Sequence, residues 1–164
     1  MFNLFKKRKE DQQGKPSSGS LLLGNEDQIF TEQFKALRAK FEYRADMFNC
    51  KVVAVTSAIA GEGKTISAVN LATSLASAGR KKVLLVDVDL RKSDLARGMR
   101  ISPLPGLSEY LAGSVTLKDI LRNSFAPGLY VIPGGMRVAA PGDLLAGERF
   151  RSFLKEVRDQ FDFI

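Results

Sequence analysis

The chain has 164 residues, of which 45% are hydrophobic and 26% charged, a balance typical of one soluble globular domain. One cysteine and no histidine exclude disulfide frameworks, Cys/His zinc sites and histidine-based catalysis, so any catalytic base is a carboxylate, a lysine or a tyrosine. No stretch approaches the roughly 18 consecutive apolar residues that span a membrane, and we expect a cytoplasmic protein.

Residues 1–24 are predicted to form a flexible basic tail and linker, rich in Lys, Arg, Ser, Gly and Gln. This segment carries much of the net charge of +7. Residues 1–9 place phenylalanine and leucine beside four cations, a composition suited to weak contact with an anionic membrane surface. A solvated tail is the simpler interpretation. Because no basic run with interleaved aromatics recurs later in the chain, we expect no nucleic-acid partner.

Hydrophobic periodicity predicts an alternation of helices and strands after the linker. Apolar residues at intervals of three, four and seven predict a helix over residues 29–46. Short apolar runs, rich in valine, predict buried parallel strands at residues 51–56, 82–86 and 129–132. Further helices are predicted over residues 64–78 (with Gly79 after the last turn), 106–112, 116–122 and 143–161. The predicted fold is α/β, with helices flanking a mainly parallel sheet in three layers.

The last four residues, 161–164, resemble the opening of another buried strand. An ordinary strand runs for about five or six residues, so this one is short. We therefore expect residues 25–164 to be the N-terminal part of a domain that is incomplete at its C-terminus.

A phosphate-binding loop is predicted between the strand at 51–56 and the helix that follows it. Residues 58–65 fit the P-loop pattern, with alanine in place of the first glycine. Small residues let backbone N–H groups surround phosphate oxygens, and the helix N-terminus adds partial positive charge. Lys64 would reach the β- and γ-phosphates, and Thr65 would offer its hydroxyl to Mg²⁺. The candidate nucleotide-binding residues here are Ala58, Ile59, Ala60, Gly61, Glu62, Gly63, Lys64, Thr65 and Ile66.

A second signal follows the strand at 82–86, which ends in Asp87, Asp89 and Arg91. In an open α/β sheet the ligand sits beyond the carboxyl ends of the strands, so these side chains are expected beside the phosphates. One carboxylate could hold Mg²⁺, and one could accept the proton of a substrate hydroxyl. The alternative is a capped turn in which Arg91 simply pairs with the acids.

These two motifs, together with the stretches at residues 105–111 and 141–145, resemble the bacterial tyrosine kinase family, the capsular exopolysaccharide autokinases. The resemblance covers residues 29–164. It implies a P-loop NTPase-like kinase that uses ATP and Mg²⁺ to phosphorylate tyrosines on a neighbouring subunit and so regulates polysaccharide polymerisation and export. It also implies that Lys64, Asp87 and Asp89 are catalytic, that Thr65 and Asp87 bind the metal, and that Arg91 contacts the nucleotide.

The same resemblance implies a ring-like homo-oligomer joined through the helix at 29–46, with Glu32, Lys35 and Arg38 at the interface. Lys35 stands where the family has arginine, and it lacks the planar fork of that side chain. A separate transmembrane activator of the polysaccharide co-polymerase type is implied, which places the protein at the inner face of the plasma membrane.

Two departures from the family bear on activity. The apolar strand that carries the Walker B carboxylate would follow residue 164, and the C-terminal tyrosine cluster is absent. The three tyrosines present are Tyr43, Tyr110 and Tyr130. Activity of these residues alone is therefore in doubt, and a non-catalytic nucleotide-binding adaptor remains an alternative.

The other alternative is a partitioning or cell-division-positioning ATPase, which is similar across both motifs. Those proteins carry a lysine directly after the first P-loop residue, and this chain has Ile59 there. An aliphatic side chain cannot donate a hydrogen bond to a partner's phosphates, which favours the kinase.

Overall fold

The computed structural model describes residues 28–79 and 81–164; for residues 28–30 it describes the backbone only. The predicted tail and linker at 1–24, and the membrane contact assigned to residues 1–9, lie outside this part. Within it the elements follow in the order α1 (Gln28–Met47), α2 (Lys64–Ser77), β1 (Val83–Val86), α3 (Leu95–Met99), α4 (Leu107–Ala112), α5 (Leu117–Ile120), β2 (Arg122–Asn123), β3 (Leu129–Ile132), α6 (Pro141–Ala146) and α7 (Glu148–Arg158).

The sheet has the order β1–β3–β2. β1 and β3 are parallel, with Val83 opposite Leu129 and Val86 opposite Ile132, which confirms the strands predicted at 82–86 and 129–132. β2 runs antiparallel to β3 and was not predicted. The helix predicted over 116–122 ends at Ile120, because Leu121 is extended (φ −76°, ψ 128°) and Arg122 pairs with β3 instead.

The prediction of a buried strand at 51–56 is wrong for this structure. Residues 51–53 make two backbone hydrogen bonds to Ile164, at 2.8 and 2.9 Å, and residues 54–56 make none with another segment. Val53 and Val55 are therefore 37% and 43% exposed. A strand requires a continuous series of backbone hydrogen bonds to a neighbouring strand, and the single residue Ile164 cannot supply one along residues 51–56.

The C-terminal residues 161–164 lie between this segment and β1. Phe163 accepts a hydrogen bond from the backbone N–H of Leu84 at 2.9 Å and forms a parallel bridge with Val83. Phe161 and Phe163 are both buried. The predicted start of a further buried strand thus has the expected direction and burial. An apolar cavity of about 370 Å³ lies between residues 52–55, β1 and α7.

Alternating residues of β1 face two different hydrophobic cores. Val83 packs with Val69 and Leu75 of α2, in the core that also includes Phe41 of α1. Leu84 packs on the opposite face with Phe153 of α7. Because successive strand side chains point to opposite faces, each side of the sheet is covered by helices. The predicted three-layer α/β architecture is confirmed.

The single long helix predicted over 143–161 is wrong, because the chain forms two helices there. Gly147 is extended (φ −72°, ψ 160°) and separates α6 from α7. α6 begins at Pro141, whose fixed φ suits the first helical position. The predicted end of α2 is confirmed, since Gly79 follows it with φ +119°. Among the described residues, no helix has the length and apolarity needed to cross a membrane.

Candidate nucleotide-binding site

The predicted phosphate loop leads directly into α2. Gly63 precedes the first helical residue, Lys64, with φ +88°, and Gly61 has φ +89°. These left-handed conformations favour glycine and turn the chain sharply into the helix. The first N–H groups of a helix lack partners within it, so they are available to an anion. Residues 58–62 are exposed, in keeping with a loop open to a ligand.

Asp87 follows β1 directly, and its carboxylate is fixed by three hydrogen bonds. Oδ1 accepts one from the backbone N–H of Asp89 at 3.0 Å. Oδ2 accepts one from the Ser93 hydroxyl at 2.7 Å and one from the N–H of Leu95 at 3.3 Å. Burial raises the pKa of Asp87 above its ordinary value, and these hydrogen bonds only partly oppose that effect.

Asp89 lies in a more open environment on the same loop. Its Oδ2 is 3.4 Å from Nζ of Lys64, and each of these side chains is 35% exposed. Its Oδ1 accepts a hydrogen bond from the N–H of Lys92 at 3.0 Å. The ion pair joins the start of α2 to the loop after β1, so the two sequence motifs meet in space.

One small cavity, of about 90 Å³, brings the predicted catalytic and metal-binding residues together. Its lining includes Lys64, Thr65, Asp87 and Asp89. Ala58–Gly63, Ile66 and Arg91 do not line it, although they were also predicted to bind nucleotide. Ile66 is 46% exposed, and Arg91 is exposed as well. The structure thus gathers the charged and hydroxyl groups at one place and leaves the rest of the loop outside that cavity.

Two residues at this site were not predicted from the sequence. Lys92 lines the cavity, and Ser93 holds Asp87. Ser93 in turn contacts Gly134, where a Cβ atom would stand 2.8 Å from the Ser93 hydroxyl oxygen. The sequence signal for Lys92 was its position next to the acidic motif. Ser93 gave no signal, because its role depends on a contact between distant segments.

The loop after β3 is attached to α4 by Glu109. Its carboxylate accepts hydrogen bonds from the N–H of Gly106 at 2.8 Å, the hydroxyl of Ser108 at 3.0 Å and the N–H of Met136 at 3.0 Å. Burial acts to raise the pKa of Glu109, but these hydrogen bonds outweigh it and lower the pKa. The contact holds the 133–136 loop, which carries Gly134, against α4.

The three predicted interface residues on α1 are in two different environments. Glu32 and Lys35 form an exposed ion pair at 2.7 Å. Arg38 instead contacts α2, donating to the Ser74 carbonyl at 3.2 Å, and its Nε lies 3.7 Å from Glu42. The role of these residues in subunit contact stays a prediction.

Two curated relatives are tyrosine-protein kinases. The chain is 34% identical over 134 residues to tyrosine-protein kinase CpsD of Streptococcus agalactiae, covering 81% of this chain and 57% of that protein. It is 30% identical over 163 residues to tyrosine-protein kinase ptk of Acinetobacter johnsonii, covering 99% of this chain and 21% of that protein. The chain therefore spans about half the length of the first relative and a fifth of the second.

Two solved structures of different function are similar to the chain. The BceF tyrosine kinase domain is 33% identical, with a TM-score of 0.75 over 81% of this chain and 52% of that one. The septum site-determining protein MinD of Pyrococcus horikoshii, complexed with Mg-ADP, is 26% identical, with a TM-score of 0.59 over 70% of this chain and 46% of that one. The resemblance to bacterial tyrosine kinases drawn from the sequence motifs is confirmed. Residues 50–164 match the model of the AAA domain family, and the chain belongs to this family of P-loop nucleotide-binding domains.

Proposed function

We propose that this chain is part of an ATP-dependent protein-tyrosine autokinase that regulates capsular or exopolysaccharide polymerisation and export. The observation that carries the proposal is the meeting of Lys64, Thr65, Asp87 and Asp89 on one cavity at the N-terminus of α2. A lysine, a hydroxyl and two carboxylates at this place match the groups that phosphoryl transfer uses. The kinase names of the relatives support the same activity.

The donor set suits ATP with Mg²⁺. Among the described residues there is no group of three or more His, Cys, Asp or Glu side chains that could hold a metal ion. Mg²⁺ needs no such cage, because it is commonly bound through one or two carboxylates together with substrate phosphates and water. Thr65 and Asp87 would hold it here. When bound, the ion would neutralise charge on the phosphates.

The protein's own groups would then position the reactants. Lys64 would bind phosphate oxygens, and the N–H groups at the start of α2 would bind others. The tyrosine hydroxyl oxygen forms the new bond to the γ-phosphorus, and the bond from that phosphorus to the leaving ADP oxygen breaks. Asp89 is the group we assign to accept the hydroxyl proton, since its side chain is 35% exposed while the Asp87 carboxylate is held by three hydrogen bonds.

The wider assignments follow from the resemblance. Residues 25–164 would be the N-terminal part of the kinase domain, preceded by a linker at 1–24. The protein would form a ring-like homo-oligomer through α1, with Glu32, Lys35 and Arg38 in contact with a neighbour. It would act at the inner face of the plasma membrane with a separate transmembrane activator.

The direct test is phosphotyrosine formation with ATP and Mg²⁺ in the chain and in a Lys64→Ala variant. We expect the variant to lose the activity, because Lys64 is the side chain assigned to bind the phosphate oxygens. Lys118→Ala, on the separate helix α5, is the matched control and should retain it. Undiminished phosphotyrosine on Lys64→Ala would contradict the assignment.

A second candidate is nucleotide binding without phosphoryl transfer. The observation that favours it is the incomplete ladder at 51–56, which leaves Val53 and Val55 exposed beside the site. Saturable nucleotide binding by the wild-type chain, with no phosphotyrosine, would support this candidate over the kinase. A positioning ATPase would instead hydrolyse ATP without forming phosphotyrosine.

A further inference from the structure

The P-loop contains one charged side chain besides Lys64, that of Glu62, and it does not contact the cavity. Its Oε2 atom accepts hydrogen bonds from the backbone N–H groups of Ala58, at 3.0 Å, and Ile59, at 3.3 Å. These bonds connect the middle of the loop to its beginning, across four residues. We propose that the Glu62 side chain is a positioning group that holds the P-loop in its nucleotide-binding curvature; this rests on the proposed nucleotide-binding function.

The loop has little else to hold it. Residues 58–62 are exposed, so packing contributes little to their conformation. The two glycines on either side of Glu62 have φ near +89°, and a Cβ atom at either would meet nothing within 4 Å. Glycine has more backbone conformations available than other residues, so fixing these two glycines in the ordered loop costs more conformational entropy. The other side-chain bond within the loop is the one from the Ser57 hydroxyl to the Ile59 carbonyl, at 2.9 Å.

A carboxylate in a phosphate-binding loop has a cost as well. Its negative charge disfavours the approach of phosphate, and the same oxygen occupies two backbone N–H groups. Two models therefore make opposite predictions. If Glu62 is a tether, its removal weakens nucleotide binding. If it competes with phosphate for the loop, its removal strengthens binding.

The position of the carboxylate favours the tether. Lys64 and Thr65 line the cavity with Asp87, whereas Glu62 and the two residues it binds lie outside it. The N–H groups that Glu62 binds are thus at the start of the loop, away from the Lys64 and Thr65 side chains that line the cavity. Hydrogen bonds to an ionised acceptor are stronger than those between neutral groups, which makes two of them an effective brace.

Three substitutions separate geometry from charge. Glu62→Gln keeps an acceptor oxygen at the same reach and removes the charge. Glu62→Asp keeps the charge and shortens the side chain by one methylene, so its oxygens fall short of the loop start. Glu62→Ala removes both. Glu148→Ala, which removes an exposed carboxylate paired within α7, is the control for loss of charge alone.

The dissociation constant for ADP, measured with a fluorescent analogue on the 164-residue chain, is the first readout. We expect Glu62→Ala and Glu62→Asp to weaken binding by about tenfold, the size expected when hydrogen bonds to a charged group are lost. Glu62→Gln keeps an uncharged acceptor, so its affinity should fall between those of the wild type and Glu62→Ala. Tighter binding by Glu62→Ala, or equal affinity in all variants, would overturn the tether.

Amide hydrogen exchange at Ala58 and Ile59 is the second readout, and it needs no nucleotide. Exchange should accelerate in the Ala and Asp variants and remain slow in Glu62→Gln. Unchanged exchange in Glu62→Ala would show that the bonds do not hold the loop. If the wild type binds no nucleotide, the proposed function fails and the positioning role fails with it. If the wild type binds while affinity is the same in every variant, only the positioning role fails.

Discussion

The ion pair between Lys64 and Asp89 gives the sharpest prediction about the site. If Lys64 binds phosphate, its ammonium group has to be shared between the nucleotide and the carboxylate 3.4 Å away. Asp89→Asn removes one negative charge, and this has two effects: Lys64 no longer has a competing partner, and the phosphates are repelled less. We therefore expect this variant to bind ADP more tightly than the wild type when Mg²⁺ is absent.

The size of the effect follows from the distance and the exposure of the pair. Two unit charges 3.4 Å apart attract each other by about 1 kcal/mol in a water-like dielectric. Both side chains are 35% exposed, and exposed pairs contribute about 0.2–1 kcal/mol when measured. The loss of repulsion between Asp89 and the phosphates adds to this term. We therefore expect Asp89→Asn to gain about 1 kcal/mol in ADP binding free energy, which is about fivefold in affinity.

The assay is calorimetric titration with ADP in the presence of EDTA, at low and at high salt. Asp159→Asn is the matched control: it removes an equal charge from an exposed residue at the end of α7, away from the residues that line the cavity. The gain should appear in Asp89→Asn, shrink at high salt and be small in Asp159→Asn. Equal or weaker ADP binding by Asp89→Asn would refute the shared-lysine argument.

Three further predictions concern stability, each measured by denaturant unfolding. The pKa of Asp87 is raised in the folded state, so ionisation of this group lowers the free energy of unfolding of the wild type as pH rises above the ordinary pKa of 3.8. Asp87→Asn cannot ionise, so its stability relative to the wild type should increase between about pH 3 and pH 7. A difference independent of pH would contradict this. Glu109 has a lowered pKa, so its stabilisation is present above 4.5 and is lost as pH falls through the folded value. Glu109→Gln should cost about 1 kcal/mol near neutral pH and little in acid, and an undiminished cost in acid would count against it. Phe153→Ala, at a fully buried position, should cost about 3 kcal/mol, whereas Phe125→Ala, at a residue 46% exposed, should cost little; comparable losses would be inconsistent with the assigned core.

The sequence predicted those parts of the fold that depend on local pattern. α1 and α2 follow from apolar periodicity, and the turn into α2 follows from glycines that need positive φ. The apolar runs at 82–86 and 129–132 were predicted as parallel strands and form β1 and β3, whereas the fact that they pair with each other was not predicted. The loop at 58–65 and the acids at 87 and 89 were found because their chemistry requires fixed spacing.

The features that the sequence could not predict depend on contacts between distant segments. Whether residues 51–56 form a strand depends on the backbone groups beside them, and among the described residues Ile164 alone makes backbone hydrogen bonds to this segment. The break at Gly147 gave no clear periodic signal, since apolar residues continue on both sides. At the site, the Ser93 contact depends on the approach of Gly134, and the Glu62 contact depends on the loop curvature itself. A motif thus identifies the groups proposed to react, while the groups that hold them in place become visible only in the folded structure.

The two carboxylates after β1 are separated by a single residue, yet their surroundings differ in a way that supports the different roles proposed for them. Asp87 is partly buried and fixed by three hydrogen bonds, so it cannot follow a moving substrate but can offer an oxygen at a constant position, as a metal ligand must. Asp89 is held by one backbone N–H and an ion pair with Lys64, a side chain that is 35% exposed. If Lys64 binds phosphate as we propose, the Oδ2 atom of Asp89 would lose its partner and become free to accept a proton. Binding of the nucleotide would thereby activate the base, because the same lysine cannot neutralise both groups at full strength.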